Sequence, residues 1–245
     1  MGAPYIDASQ HVTNVVADFA SDGVKAIGRY YNYGAGQKVL SRMEAQAILS
    51  KDMSIWVTFQ YYNNALKWFN SSLGAKDASR ALQCAQEIVG QPRGTAIYFS
   101  VDFDAGKTDY ESSIRPYFLA VQGVFRRPDG AMPYRIGVYS DGYVCRRLLE
   151  DSIVTDTWLS CSSSFNETKQ FRASGKWSIA QTCGIPKRFG IDIDNDDVNR
   201  ADFGGFSSLA PLTVSHAAPV AAAFHTEFIA NANRAEKLKR KRKAA

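Results

Sequence analysis

The sequence predicts an α/β protein, a (β/α)8 TIM barrel, on three observations. Eight short strand-like runs alternate with segments that carry helical signals. No two runs are joined as a hairpin, which implies a parallel sheet. The eight together occupy about two hundred residues, within the ~200–250 that such a barrel takes. An open, doubly wound sheet is the alternative, but no G-x-G-x-x-G follows any strand to support its dinucleotide-binding form.

The strand candidates are 5–7, 26–31, 54–60, 95–104, 134–140, 157–161, 177–182 and 190–194. Between the second and third lies "SRMEAQAILSKD", in which Ser41 and Glu44 form a capping box that satisfies free N–H groups at a helix start. After the third, the Ala-rich "DASRALQCAQEIVG" predicts a helix that stops at Gly90. Residues 108–125 and 141–149 predict helices after strands four and five. Irregular helices are expected after strands six and seven, because "GIPKRFG" is too short and too broken by Pro and Gly. The barrel is assigned residues 1–210, an Ala-rich linker or peripheral helix 211–233, and a basic tail 234–245.

The formal charge of +5 resides in that tail, which carries seven Lys or Arg against one Glu. The rest of the chain is nearly neutral, so no specific nucleic-acid site is expected. The tail is expected to be solvated, with anionic polymers or a membrane surface as its candidate contacts. No run reaches the ~20 apolar residues of a membrane span. No Sec-type signal is visible in MGAPYIDASQ, which leaves a non-Sec route to the cell envelope or a phage-type lysis role as expectations. The four cysteines include no Cys-x-x-Cys pair and are expected to be buried thiols. Cys161 and Cys183 each close a strand, so a bridge between them is possible but not expected without a secretion signal.

The chemistry gathers at the strand ends. In "YFSVDFD", alternation puts Ile97, Phe99, Val101 and Phe103 on one face. Asp102 and Asp104 share the other with Tyr98 and Ser100, pointing into the barrel at the end where barrel active sites lie. Asp7 closes strand one. "GIDIDNDD" places Asp192 and Asp194 on the inner face of strand eight. Tyr30, Gln60, Tyr62, Tyr139, Asp141, Trp158 and Gln181 stand at or near the other ends, with Arg29 the one basic residue considered there. Acids, amides and aromatic faces with few cations suit a neutral polyhydroxylated ligand. No metal or cofactor is expected: three His cannot readily build a zinc site or a triad, and the Asp192 run lacks the Gly and Glu of a calcium loop. Carboxylates are the available chemistry. Two of them flanking a glycosidic bond can hydrolyse it, one protonating the leaving oxygen and the other stabilising or attacking the sugar. Asp104 is the expected general acid, with Asp7 or Asp192 as its ionised partner and Asp102 beside them.

The stretches "YIDAS", "IGRYYNYG", "VLSRMEAQAI" and "AIYFSVDFD" resemble the glycoside-hydrolase-like domain-of-unknown-function 1906 family, over residues 4 to about 205. That resemblance implies a TIM barrel related to the family 25 glycoside hydrolases, the lysozyme-like muramidases. It implies a β-linked, N-acetylated glycan, peptidoglycan above all, as substrate or partner. It matches Asp7 to the muramidases' first-strand Asp and Asp102 to the Asp of their Asp-x-Glu motif. Asp192, or less favourably Asp194, matches the Asp of their last strand. Asp104 stands where they carry Glu and is one methylene shorter. A misplacement of ~1 Å can cost ~10²-fold in rate, so a catalytically degraded, glycan-binding barrel is the alternative function.

Overall fold

The computed structural model describes residues 2–34, 36–184 and 187–213. The linker from residue 214 and the basic tail lie outside the described residues. Seven strands run parallel: β1 (Tyr5–Asp7), β2 (Ala26–Tyr31), β3 (Ser54–Phe59), β4 (Ala96–Ser100), β5 (Arg135–Ser140), β6 (Asp156–Leu159) and β7 (Ile179–Thr182). A two-stranded sheet, β8 (Lys187–Arg188) with β9 (Ile191–Asp192), interrupts the order. Then β10 (Asp194–Val198) closes the barrel between β7 and β1.

This last strand corrects the expectation of an all-parallel sheet. It runs antiparallel to both neighbours, Asp7 facing Asp194 and Gln181 facing Asp196. The strand expected at 190–194 is divided between β9 and β10. The expected strand 95–104 is shorter too, since pairing ends at Ser100.

Two apolar layers follow from strand alternation. The barrel interior holds Ala26, Trp56, Ala96, Tyr98, Trp158 and Ile179, with the Trp56 and Trp158 rings 5.7 Å apart edge to face. Glycines make room for these rings: a Cβ on Gly28 would come within 2.5 Å of Trp56, and one on Gly137 within 2.5 Å of Tyr98. The opposite faces, among them Ile27, Ile55, Val57, Ile97, Phe99 and Val138, are buried in the layer beneath the helices.

The helices are α1 (Val16–Ser21), α2 (Arg42–Leu49), α3 (Ser71–Gln83), α4 (Lys107–Asp109), α5 (Arg115–Phe125), α6 (Gly142–Glu150) and α7 (Thr168–Ser174). α3 continues as a π-helical stretch to Val89 and stops at Gly90, whose φ of 82° only glycine adopts readily. Half of the expected capping box forms: Ser41 accepts from the Glu44 amide at 3.1 Å. The Glu44 carboxylate is instead buried against Arg29 Nε at 3.1 Å and His11 Nδ1 at 2.9 Å. Arg29 therefore faces the helix layer, not the barrel mouth. After β6 the helix is the short α7, and after β7 only the β8–β9 hairpin is found among the described residues. Residues 211–213 still follow the barrel, the Thr213 amide donating to Gln86 O at 3.0 Å.

Cys84 and Cys145 are buried thiols, whereas Cys161 and Cys183 form a disulfide with Cα atoms 5.1 Å apart. The bridge joins the chain just beyond β6 to the chain just beyond β7. Among the described residues no helix is long and apolar enough to cross a membrane.

Candidate active site

At the C-terminal ends of the parallel strands lies a cavity of about 650 Å³. Its floor is Asp7, the last residue of β1. Tyr30 donates to one Asp7 oxygen at 2.7 Å and Gln181 to the other at 3.1 Å. Tyr139 in turn donates to Gln181 at 3.0 Å, which fixes the amide's orientation. Asp7 is 1% exposed, and burial together with the nearby Asp194 pushes its pKa up to about 7. Burial raises Asp194 as well.

One residue pair along β10, Asp196 is buried beneath Asp194. It accepts the Trp158 indole N–H at 2.8 Å, while its second oxygen has no hydrogen-bond partner among the described residues. Its pKa stands well above the usual carboxylate range, first through burial and then through the charge of Asp7. Like charges crowded in a dry site disfavour joint ionisation, so this floor holds protons that separate carboxylates would release.

Asp102 occupies the opposite wall. It lies two residues beyond the end of β4, yet its amide donates to Asn63 O at 2.9 Å and the Val101 amide to Tyr139 O at 2.8 Å. These bonds keep it facing the cavity. Gln60 donates to its carboxylate at 3.1 Å, and Lys38 donates to Gln60 at 2.7 Å. Desolvation raises Asp102; the Lys38 charge and the Gln60 bond oppose that rise.

Of the residues expected from sequence, the cavity is lined by Asp7, Asp102, Asp192, Asp194, Tyr30, Gln60, Tyr139, Trp158 and Gln181. Asp192 is at the rim, about half exposed and 3.4 Å from Lys187. Three expected residues are not in the lining. Asp104 is exposed, and its carboxylate accepts the Asn166 amide at 2.7 Å, tying the loop after β4 to the loop after β6. Pairing ends at Ser100, so alternation no longer governs a side chain four residues on. Asp141 is fully buried and caps α6, one oxygen accepting Val144 N at 2.8 Å and the other Ala105 N at 2.9 Å. Tyr62 is 54% exposed on the β3–α3 loop, stacked on Trp68 with ring centroids 4.8 Å apart.

Sequence reasoning missed Lys38, Ser9, Thr58 and the buried Asp196. Asp196 was within reach, since it extends the Asp192/Asp194 alternation by one step. Lys38, in an irregular loop, left no periodic signal. Among the described residues no group of three or more His, Cys, Asp or Glu is disposed to hold a metal ion.

A closed eight-stranded barrel with carboxylates, amides and aromatic rings lining a cavity at its mouth defines a protein of the TIM-barrel class. The chain belongs to the Rv2525c-like, glycoside hydrolase-like domain family, whose profile matches residues 17–201. The Bacillus subtilis (strain 168) protein FadG is 28% identical over 208 residues, covering 80% of this chain and 36% of FadG. The chain thus spans about a third of that relative's length. The crystal structure of the Tat-secreted Mycobacterium tuberculosis protein Rv2525c, in complex with L-tartrate, matches with a TM-score of 0.67 at 19% identity. The match covers 83% of this chain and 98% of that one. An uncharacterised B. stearothermophilus protein matches with a TM-score of 0.58 at 17% identity, covering 82% and 99%. At these identities the two structures establish the fold alone.

Proposed function

We propose that the cavity binds a β-linked, N-acetylated glycan, peptidoglycan being the leading candidate, and cleaves it by carboxylate acid/base chemistry. The observation that carries this reading is the pair of unlike acids facing one cavity. Asp7 is held protonated up to about pH 7 by its burial. Desolvation raises Asp102 as well, but there a cation and an amide oppose the rise and favour the charged form, where Asp7 has the like charge of Asp194 beside it. Two carboxyl groups whose environments differ in this way divide the acid and base roles. Asp7 then protonates the leaving oxygen, and ionised Asp102 stabilises the sugar centre or activates water. Tyr30 and Tyr139 offer apolar surface to the ring, and Gln60, Gln181, Thr58 and Ser100 bond hydroxyls.

The test is release of reducing ends from purified peptidoglycan. Asp7→Asn and Asp102→Asn are each expected to lower turnover by at least ~10²-fold, the scale of lost acid–base catalysis. Asp104→Asn is expected to leave turnover within a few-fold. Full activity in both of the first two variants would sink the assignment.

A second reading, a glycan-binding barrel without turnover, is favoured by the engagement of Asp104 with Asn166 outside the cavity. It predicts saturable binding with no product at long incubation. The Cys161–Cys183 disulfide supports work in an oxidising compartment outside the cytosol, as does the Tat secretion of the M. tuberculosis relative. Under either reading the basic tail would contact anionic wall polymers or lipid.

A further inference from the structure

Among the described residues lining the cavity, Lys38 is the one cation. It lies on the β2–α2 loop, its ammonium 4.4 Å from the Tyr30 ring centroid and bonded to Gln60 Oε1 at 2.7 Å. Both contacts fix its position without neutralising it, and among the described residues no carboxylate comes within the 4.0 Å of an ion pair with Lys38. An ammonium carries three donors, of which one is spent on Gln60. A partly desolvated cation held in this way gains most from an anion that arrives with the ligand, because a charge-assisted hydrogen bond is about twice as strong as a neutral one.

The neighbouring acids limit what that anion can be. Asp102 and Asp7 are near enough to act on the Lys38 charge, and Asp102 in its ionised form would repel a doubly charged phosphate more strongly than a single carboxylate. We propose that Lys38 is a specificity-determining residue that selects glycans bearing a free carboxylate, either on a lactyl ether that carries no peptide amide or as a uronic acid. This rests on the glycan reading above and names the substrate class of the same site. It does not depend on whether the barrel turns the ligand over.

The experiment is calorimetric titration with four disaccharide probes. They are N-acetylglucosaminyl-N-acetylmuramic acid, its methyl ester, an N-acetylglucosaminyl-glucuronic acid, and that compound's methyl ester. Wild-type protein should bind at least one free acid ~10-fold or more tightly than its ester, and the acid with the larger ratio names the source of the carboxylate. Lys38→Met should bind acid and ester alike, at the ester's wild-type affinity, while Lys38→Arg keeps the preference. Equal wild-type affinity for acid and ester in both pairs would overturn the proposal, and that comparison needs no variant to fold. Equal weakening of acid and ester in Lys38→Met would also overturn it, leaving Lys38 as a support for Gln60 and Asp102. Failure of wild-type protein to bind any of the four sugars would overturn the glycan reading and this proposal with it.

Discussion

Asp7 owes its proton to two separable causes, its burial and the charge of Asp194. Burial is built into the floor, but the charge can be removed. On the proposed chemistry, turnover should fall as pH rises through about 7, because Asp7 then loses the proton it donates. In Asp194→Asn one raising influence is gone, so the alkaline limb of the pH profile of kcat/KM should move to lower pH. An unmoved limb would mean that another group sets it. At this scale the sequence was legible where a strand continued, or where backbone bonds carry its register two residues on as at Asp102, and misleading beyond that. Asp7 and Gln181 are on paired residues and face where alternation sends them. Asp104, expected as the acid, lies four residues past the end of pairing and serves a loop contact instead. Asp141 was read as facing ligand because it follows β5, but a buried Asp before a helix is better used as its cap.

The elements at the mouth are held by a bond whose partners were visible in sequence but whose formation was not. Cys161 and Cys183 follow adjacent strands, and cross-strand adjacency brings their Cα atoms to 5.1 Å. The separation of 22 residues implies a loop-closure stabilisation of about 3 kcal/mol in the chain-entropy account. Reduction, or Cys161→Ser with Cys183→Ser, should therefore lower the denaturant midpoint measurably, with Cys84 and Cys145 buried and silent. Identical midpoints with and without reductant would count against an intact bridge. The direction of β10 was illegible for a different reason. Period-2 alternation looks the same whichever way a strand runs, so "GIDIDNDD" reported an acidic inner face without reporting its polarity. The short β8–β9 hairpin before it supplies the reversal.

Among the described residues, the carboxylates whose pKa values are displaced fall into two populations with opposite consequences for stability. Asp7 and Asp141, both raised to about 7, and Asp77, raised to about 6, owe those values first to burial. For each, the folded state holds a proton that the unfolded chain, near its ordinary value of 3.8, releases. Between roughly pH 4 and 7 the native state therefore binds more protons, and stability falls as pH rises. Asp202, lowered to about 2 by its bond from Arg135, acts the other way. So does Asp151, where desolvation is outweighed by the bonds from Arg115 and Tyr110 and the value is lowered. Their contribution is present above the ordinary carboxylate range and is lost as pH falls through their folded values. The two populations together place the stability maximum near the ordinary carboxylate range, at about pH 4. Urea midpoints taken at unit intervals should decline from about pH 5 to pH 8 and also fall below about pH 3. Asp7→Asn should flatten the decline above about pH 5, since Asn has no proton to lose there. A midpoint that climbs steadily over that same range would show that the buried acids are ionised in the folded protein, and the proton-holding floor of the cavity would go with it.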